Sequence, residues 1–168
     1  MTPRLAVPLL SFLLVAIGCG PSEERVRAIV GEELRAVQEH SFITGGQTVG
    51  PYSPAVRAGN LLFVSGQIGL LPASGALAGD DIASQTRQAL MNLEAVLEQA
   101  GCDSSDVVQC NVFMTDIREF PRMNLIYGGF FPEDRYPARS TMEVRALPRN
   151  AIVEIAAIAL IPPSAHRR

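Results

Sequence analysis

Ala151-Ile152-Val153-Glu154-Ile155-Ala156-Ala157-Ile158-Ala159-Leu160 is the stretch on which the fold turns. Every residue in it except Glu154 is apolar. A run this short reads as a strand that needs burial, with no helical face to one side. The carboxylate inside it is costly unless it is paired, hydrogen-bonded or opened into a pocket. Strand alternation places Glu154 on the same face as Ala156 and Ile158.

Working upstream, residues 141–145 read as another strand and residues 118–131 as a helix, weakened at its end by Gly128-Gly129. Residues 107–114 form a strand pattern. Before it, Asp80 and Asp81 open a strong helix with Ile82, Thr86, Ala89, Leu90, Leu93, Val96, Leu97 and Ala100 on one face. Gly101 stands where a glycine stops such a helix. Residues 72–79 are a loop of small residues. Residues 55–57 and 61–66 read as a hairpin around Ala58-Gly59-Asn60. The order ββαβαββ, with one apolar face per helix, predicts an α+β layer with helices on one side of a mixed sheet.

The beginning of the chain has a different character. Residues 1–4 carry one positive side chain, and residues 5–15 are apolar except for Pro8 and Ser11. About eleven residues are too few to cross a bilayer as a helix but suit the apolar region of a signal peptide. The run closes on Ala16-Ile17-Gly18-Cys19, which resembles a bacterial lipobox whose cysteine becomes lipidated. A cleaved secretory signal with an incidental cysteine is the plainer alternative. Residues 21–40 then read as a polar helix, with Ser22 as N-cap and Glu23 and Glu24 in the first turn. Val26, Ile29, Val30, Leu34 and Val37 make its apolar stripe, and Gly45-Gly46 ends the segment. The chain thus divides into a leader at 1–18, an N-terminal extension at 19–46, a globular domain at 47–161 and a tail at 162–168.

Composition sets limits on function. The chain has 168 residues, a formal charge of -3 and 48% apolar residues, enough for one compact core. All 14 basic residues are arginines, and no basic run resembles a nucleic-acid footprint. The mildly acidic balance also argues against docking on anionic lipid head groups. With Cys19 set aside, Cys102 and Cys110 remain. An exported protein meets an oxidising compartment, so a bridge between them is conceivable. Their places past a helix end and inside a strand favour two buried, unpaired thiols. His40 and His166 lie in terminal segments, and no Cys/His spacing suggests a metal site.

Arg139 is the second residue with chemical interest. It follows Tyr136-Pro137-Ala138 at the entry to a strand, where its guanidinium can hold a planar carboxylate by two parallel hydrogen bonds. On the residues alone, a structural ion pair or an edge-strand charge explains Arg139 and Glu154 better than chemistry does.

The motifs around them shift that balance. Gly50-Pro51-Tyr52-Ser53-Pro54-Ala55 and Phe63-Val64-Ser65-Gly66-Gln67-Ile68 resemble the opening of the Rid (YjgF, reactive intermediate deaminase) family. Pro137-Ala138-Arg139-Ser140-Thr141, Val144-Arg145-Ala146-Leu147-Pro148 and Val153-Glu154-Ile155-Ala156-Ala157-Ile158-Ala159 resemble its closing motifs. They stand in family order and span about 115 residues, the whole globular part. The resemblance implies a chorismate-mutase-like fold, a homotrimer with sites in the clefts between subunits, and no metal or organic cofactor. It implies hydrolysis of enamines such as 2-aminoacrylate, through imines such as 2-iminopropanoate and 2-iminobutanoate, to 2-keto acids and ammonia.

Carried over residue by residue, Arg139 would bind the substrate carboxylate and Glu154 would activate the water. Tyr52 would line the pocket, Ser65 and Gly66 would present backbone groups, and Asn124 would lie near the site. Thr141 falls where several relatives have a cysteine, so no thiol-dependent property is expected. The short loop from Phe131 to Pro137, Ala156 in place of a common acid, and Gly128-Gly129 depart from the pattern without removing a site residue. The leader departs further. It implies a lipid-anchored protein of the cell envelope facing the periplasm, or a soluble exported one, whereas aminoacrylate usually arises in the cytoplasm. A non-catalytic exported relative that binds a small carboxylate or a protein partner is therefore the second reading. A ribonuclease is the third, disfavoured by the absent basic stripe and the export signal.

Overall fold

The computed structural model describes residues 21–38, 40–45 and 48–162. Two compact units make up the chain, Met1–Ala36 and Val37–Arg168. The first contains most of helix α1 (Glu23–Gln38), whose first turn carries Glu23 and Glu24. The Arg25 backbone N–H donates to Ser22 Oγ at 3.3 Å, so Ser22 caps this helix as its position predicted. The leader and Cys19 lie outside the described residues, as does the tail beyond 162.

The second unit is a single six-stranded sheet with helices on one face. Its strands are β1 (His40–Ile43), β2 (Ala55–Ala58), β3 (Leu61–Ile68), β4 (Val107–Met114), β5 (Ala138–Glu143) and β6 (Val153–Leu160). Their spatial order is β1-β2-β3-β6-β4-β5. Every pairing is antiparallel except β4 with β5. The expected α+β architecture is present, with β6 between β3 and β4, where its apolar run is used on both flanks. Strand β1 is an addition to the expected order, since its four residues fall in the segment predicted as an N-terminal extension. It is short and polar at its start, and pairing with β2 supplies the order that its composition does not.

Helix α2 (Ile82–Gln99) packs Leu90, Leu93 and Leu97 against Leu62, Val112 and Ile155 of the sheet, all but fully buried. Asp81 caps it, accepting from the Ala83 and Ser84 backbones at 3.0 Å, and Gly101 follows it at φ +77°. Helix α3 (Phe120–Gly128) is shorter than its sequence pattern suggested. Residues Ile117–Glu119 form a separate 3₁₀ turn, and Gly129 ends the helix. Strand β5 starts earlier than its pattern suggested, at Ala138 opposite Gln109 of β4, and Arg139 stands at its entry as the second residue. Cys102 and Cys110 are buried and form no disulfide with each other.

Three polar residues of α2 tie the helix to the strand ends near Glu154. Gln85, 1% exposed, donates to Gly79 O at 2.8 Å and accepts from the Ile152 backbone at 3.0 Å. Asn92 Nδ2 donates to Ile68 O and Leu70 O, both at 2.9 Å, and Gln88 supports Asn92 at 2.8 Å. The backbone comes very close here: a Cβ at Gly69 would lie 2.8 Å from both Gln85 Cα and its carbonyl oxygen. Gly69→Ala is therefore expected to lower stability by about 1–3 kcal/mol, as overpacking against backbone does. Urea denaturation checks this, and a loss below ~0.5 kcal/mol would contradict the contact.

Candidate active site

The pocket around Glu154 grows out of an irregularity in β3. Val64 pairs with Ala157 and Gln67 with Ile155, so Ser65 and Gly66 together oppose the single residue Ala156. This is a β-bulge, which bends a strand and interrupts its ladder, a device common beside active sites. Ser65 fastens the preceding loop to the bulge. Its backbone N–H donates to Pro54 O at 2.9 Å and its hydroxyl to Ser53 O at 2.7 Å. That loop folds back on itself through Val49 N–H to Tyr52 Oη, 3.2 Å, and Tyr52 N–H to Gly50 O, 3.0 Å. On the far side, the Leu147–Pro148 turn enters β6 through Arg149 and Asn150, both at φ near +60°. Holding an arginine there stores strain next to the pocket.

These elements enclose a cavity of about 280 Å³ lined by Val49, Tyr52, Ser65, Gly66, Ile68, Pro148 and Glu154. Glu154 is half-buried, and among the described residues no arginine pairs with it. Burial alone raises its pKa above the usual carboxylate range. Glycine is needed opposite it, because a Cβ at Gly66 would overlap the carboxylate and sit 2.6 Å from Glu154 Cδ. Gly66→Ala should thus displace the carboxylate. The fold should be retained and the Glu154 side chain displaced in a crystal structure of the variant. An unmoved carboxylate would contradict this placement.

Arg139 belongs to a different part of the molecule. It pairs with Cys110, which is fully buried under the helices, whereas Glu154 pairs with Phe113. Cys110 and Phe113 are three residues apart on one strand, so Arg139 and Glu154 project from opposite faces of the sheet. Around Arg139 stand Phe120 and Tyr127 of α3, their ring centroids 5.4 and 4.5 Å from its guanidinium carbon. Among the described residues it makes no salt bridge. Thr141 lies on the same face two residues along, opposite Val112. Asn124 is exposed on α3, four residues from Phe120 and three from Tyr127, hence on the same side of that helix.

The sequence-predicted residues therefore fall into two groups. Tyr52, Ser65, Gly66 and Glu154 share a pocket; Arg139 and Thr141 share the opposite sheet face, with Asn124 exposed on the neighbouring helix α3. Gln85, Gln88 and Asn92, which brace the pocket, were missed because a polar residue on a helix reads as solvated. Their spacing beside the apolar face was the available signal.

A six-stranded mixed sheet with helices on one face and a lone carboxylate in a bulge-lined pocket on the other defines an α+β domain of the YjgF type. The family model described as Endoribonuclease L-PSP matches residues 44–161, and the chain belongs to that family. Among its relatives, a RutC family protein of Pyrococcus horikoshii is 45% identical over 111 residues, 66% of this chain and 87% of that protein. The human protein named 2-iminobutanoate/2-iminopropanoate deaminase is 41% identical over 115 residues, 68% of this chain and 83% of its own. Of solved structures, a Rid family protein of Yersinia pestis superposes with TM-score 0.70 at 42% identity, covering 73% of this chain and all of that one. Escherichia coli TdcF with bound serine superposes with TM-score 0.67 at 34% identity, covering 71% and 98%.

Proposed function

We propose that the protein is a hydrolytic deaminase of short-chain 2-imino acids, giving 2-keto acids and ammonia. The observation that carries this reading is Glu154: a carboxylate with no ion-pair partner among the described residues, its pKa raised by burial, in a pocket sized for a few heavy atoms and a water. The names of the human and bovine relatives, and of the Reactive Intermediate Deaminase A of Arabidopsis thaliana, support the substrate class. The word endoribonuclease in the family's description has no counterpart in the charge of this chain, which lacks a basic stripe.

An imine carbon is already electrophilic, so the residues need only orient, place water and move protons. Arg139 holds the carboxylate by two parallel hydrogen bonds. Glu154 takes a proton from water as the oxygen bonds to the imine carbon and passes it to the nitrogen, giving a neutral carbinolamine. It then takes the proton of the new hydroxyl and delivers it to nitrogen as the C=O bond forms, the C–N bond breaks and ammonia leaves. A carboxylate poised above its usual range suits both halves of this cycle.

Arg139 and Glu154 face opposite ways in one chain, so this chemistry requires a second copy to bring them together. We read the assembly as a homotrimer with the site in the cleft between subunits. The open sheet face supports association, since it leaves Phe42, Phe63 and Met142 between 42% and 60% exposed. The pattern of the leader supports a mature protein held in the cell envelope by a lipid on Cys19. Labelling with an alkyne fatty acid should mark the wild type and not Cys19→Ser, and equal labelling would refute anchoring at that residue.

The direct test of turnover uses the protein from Pro21 onward. An amino-acid oxidase generates 2-iminopropanoate or 2-iminobutanoate in situ, and semicarbazide traps what remains. Loss of trapped imine that depends on Arg139 and Glu154 supports the deaminase. Undiminished trapping, with a protein that still binds small carboxylates, would leave an exported binding protein on this fold.

A further inference from the structure

We propose that Tyr127, assisted by Phe120, is the positioning residue for Arg139: its ring face holds the guanidinium by stacking and leaves the guanidinium edge free for a carboxylate. The inference rests on the reading of Arg139 as the carboxylate anchor and adds what keeps that anchor in place.

An arginine that must meet an anion faces two conflicting needs. It carries a long side chain whose rotamer freedom opposes binding. The usual way to fix it, an acidic partner, also neutralises it and occupies the donors that the substrate needs. Here no carboxylate pairs with Arg139 among the described residues. Instead its guanidinium carbon lies 4.5 Å from the Tyr127 ring centroid and 5.4 Å from that of Phe120, both within cation–π range. Stacking uses the flat face of the guanidinium, whereas the fork that binds a carboxylate lies along its edge. The two interactions are therefore compatible on one side chain.

The platform itself is rigid. Tyr127 is 3% exposed and packs against Phe131 at 4.8 Å between centroids, and Phe131 meets Phe130 edge-on at 4.9 Å. Below, the Ile117 backbone N–H donates to Glu143 at 2.8 Å and the Val144 backbone N–H to Met114 O at 2.8 Å, tying the end of β5 to the approach to α3. The Tyr127 hydroxyl is buried near the Cys110 thiol and the guanidinium without reaching hydrogen-bond geometry to any described group. A buried hydroxyl with no well-formed hydrogen bond among the described residues costs the fold stability and does not support it. What the position uses is the ring. Burial also keeps that hydroxyl neutral by pushing its ionisation well above the ordinary tyrosine range, so no phenolate competes for Arg139.

The experiment compares Tyr127→Phe, Tyr127→Leu and Phe131→Leu with the wild type and Arg139→Ala. It reads KM and kcat for 2-iminobutanoate, the Kd for 2-oxobutanoate and the thermal midpoint. Phe131→Leu is the packing control, because Phe131 touches the Tyr127 ring but is not paired with Arg139. We expect Tyr127→Phe to keep KM and Kd within about twofold, and Tyr127→Leu to raise both roughly 2- to 30-fold, the span of a cation–π contact. Phe131→Leu should lower the midpoint and leave KM and Kd unchanged. Equal shifts in Tyr127→Leu and Phe131→Leu would reduce Tyr127 to packing and overturn the inference, as would a loss in Tyr127→Phe equal to that in Tyr127→Leu. If Tyr127→Leu does not fold, Phe120→Leu probes the same clamp from the other ring, with a smaller rise in KM expected and no rise overturning it. Arg139→Ala separates the two levels. If it binds 2-oxobutanoate as the wild type does, the anchor itself is wrong; if it fails to bind while Tyr127→Leu binds normally, only the positioning role falls.

Discussion

Arg139→Ala is expected to abolish turnover of carboxylate-bearing imines while leaving the assembled protein intact. Arg139 contributes no salt bridge to the fold among the described residues, and its backbone, not its side chain, holds β5 on β4. Its removal should therefore cost little stability. Two hydrogen bonds to a charged group contribute roughly 3–6 kcal/mol together, which corresponds to about 10²–10⁴-fold in kcat/KM. Size-exclusion chromatography and the trapping assay read the two halves of this expectation. Unchanged turnover, or loss of assembly in parallel with activity, would remove Arg139 from the substrate site.

Glu154→Gln is expected to lower kcat by about 10²–10⁴-fold, the range for a lost general base. The pH profile carries the more specific signature. Burial raises the Glu154 pKa, so in the wild type kcat/KM should fall on the acid side at a pH above the ordinary carboxylate range, and the glutamine variant should lack that limb. The sign for stability is opposite to that for activity. A carboxyl whose pKa is raised by folding favours the native state below its unfolded pKa, and this support is lost as pH rises through the folded value. At neutral pH the ionised Glu154 thus weakens the fold, and Glu154→Gln should raise the thermal midpoint there but not at acid pH. A variant less stable at neutral pH, or with an unaltered acid limb, would show that Glu154 is a structural charge.

Sequence periodicity revealed most of the framework. The apolar run of β6, the capped and glycine-stopped α2, and the hairpin at Gly59 needed only alternation, capping and turn chemistry. The displaced ends had other causes. Strand β5 follows the register set by β4, a long-range pairing that local pattern does not contain. Strand β1 exists because β2 offers it an edge. The bulge at Ser65-Gly66 was invisible for the same reason, since it is defined only by what β6 places opposite it. Glu154 announced itself as a charge in an apolar strand. Arg139 stood out as a guanidinium after Tyr136-Pro137-Ala138, but the sequence did not contain the aromatic rings beneath it or the sheet face it occupies. That the two groups point in opposite directions emerges only from the pairings of β4 with its two neighbours.

That opposition makes one measurement decisive. Arg139→Ala and Glu154→Gln subunits, each inactive alone, can be co-assembled in equal amounts and assayed for loss of trapped 2-iminobutanoate. A site built from Glu154 of one subunit and Arg139 of the next would be restored in about a quarter of random pairings, so roughly a quarter of wild-type turnover should return. Mixed assemblies as inactive as their components would contradict a hydrolytic site shared between subunits.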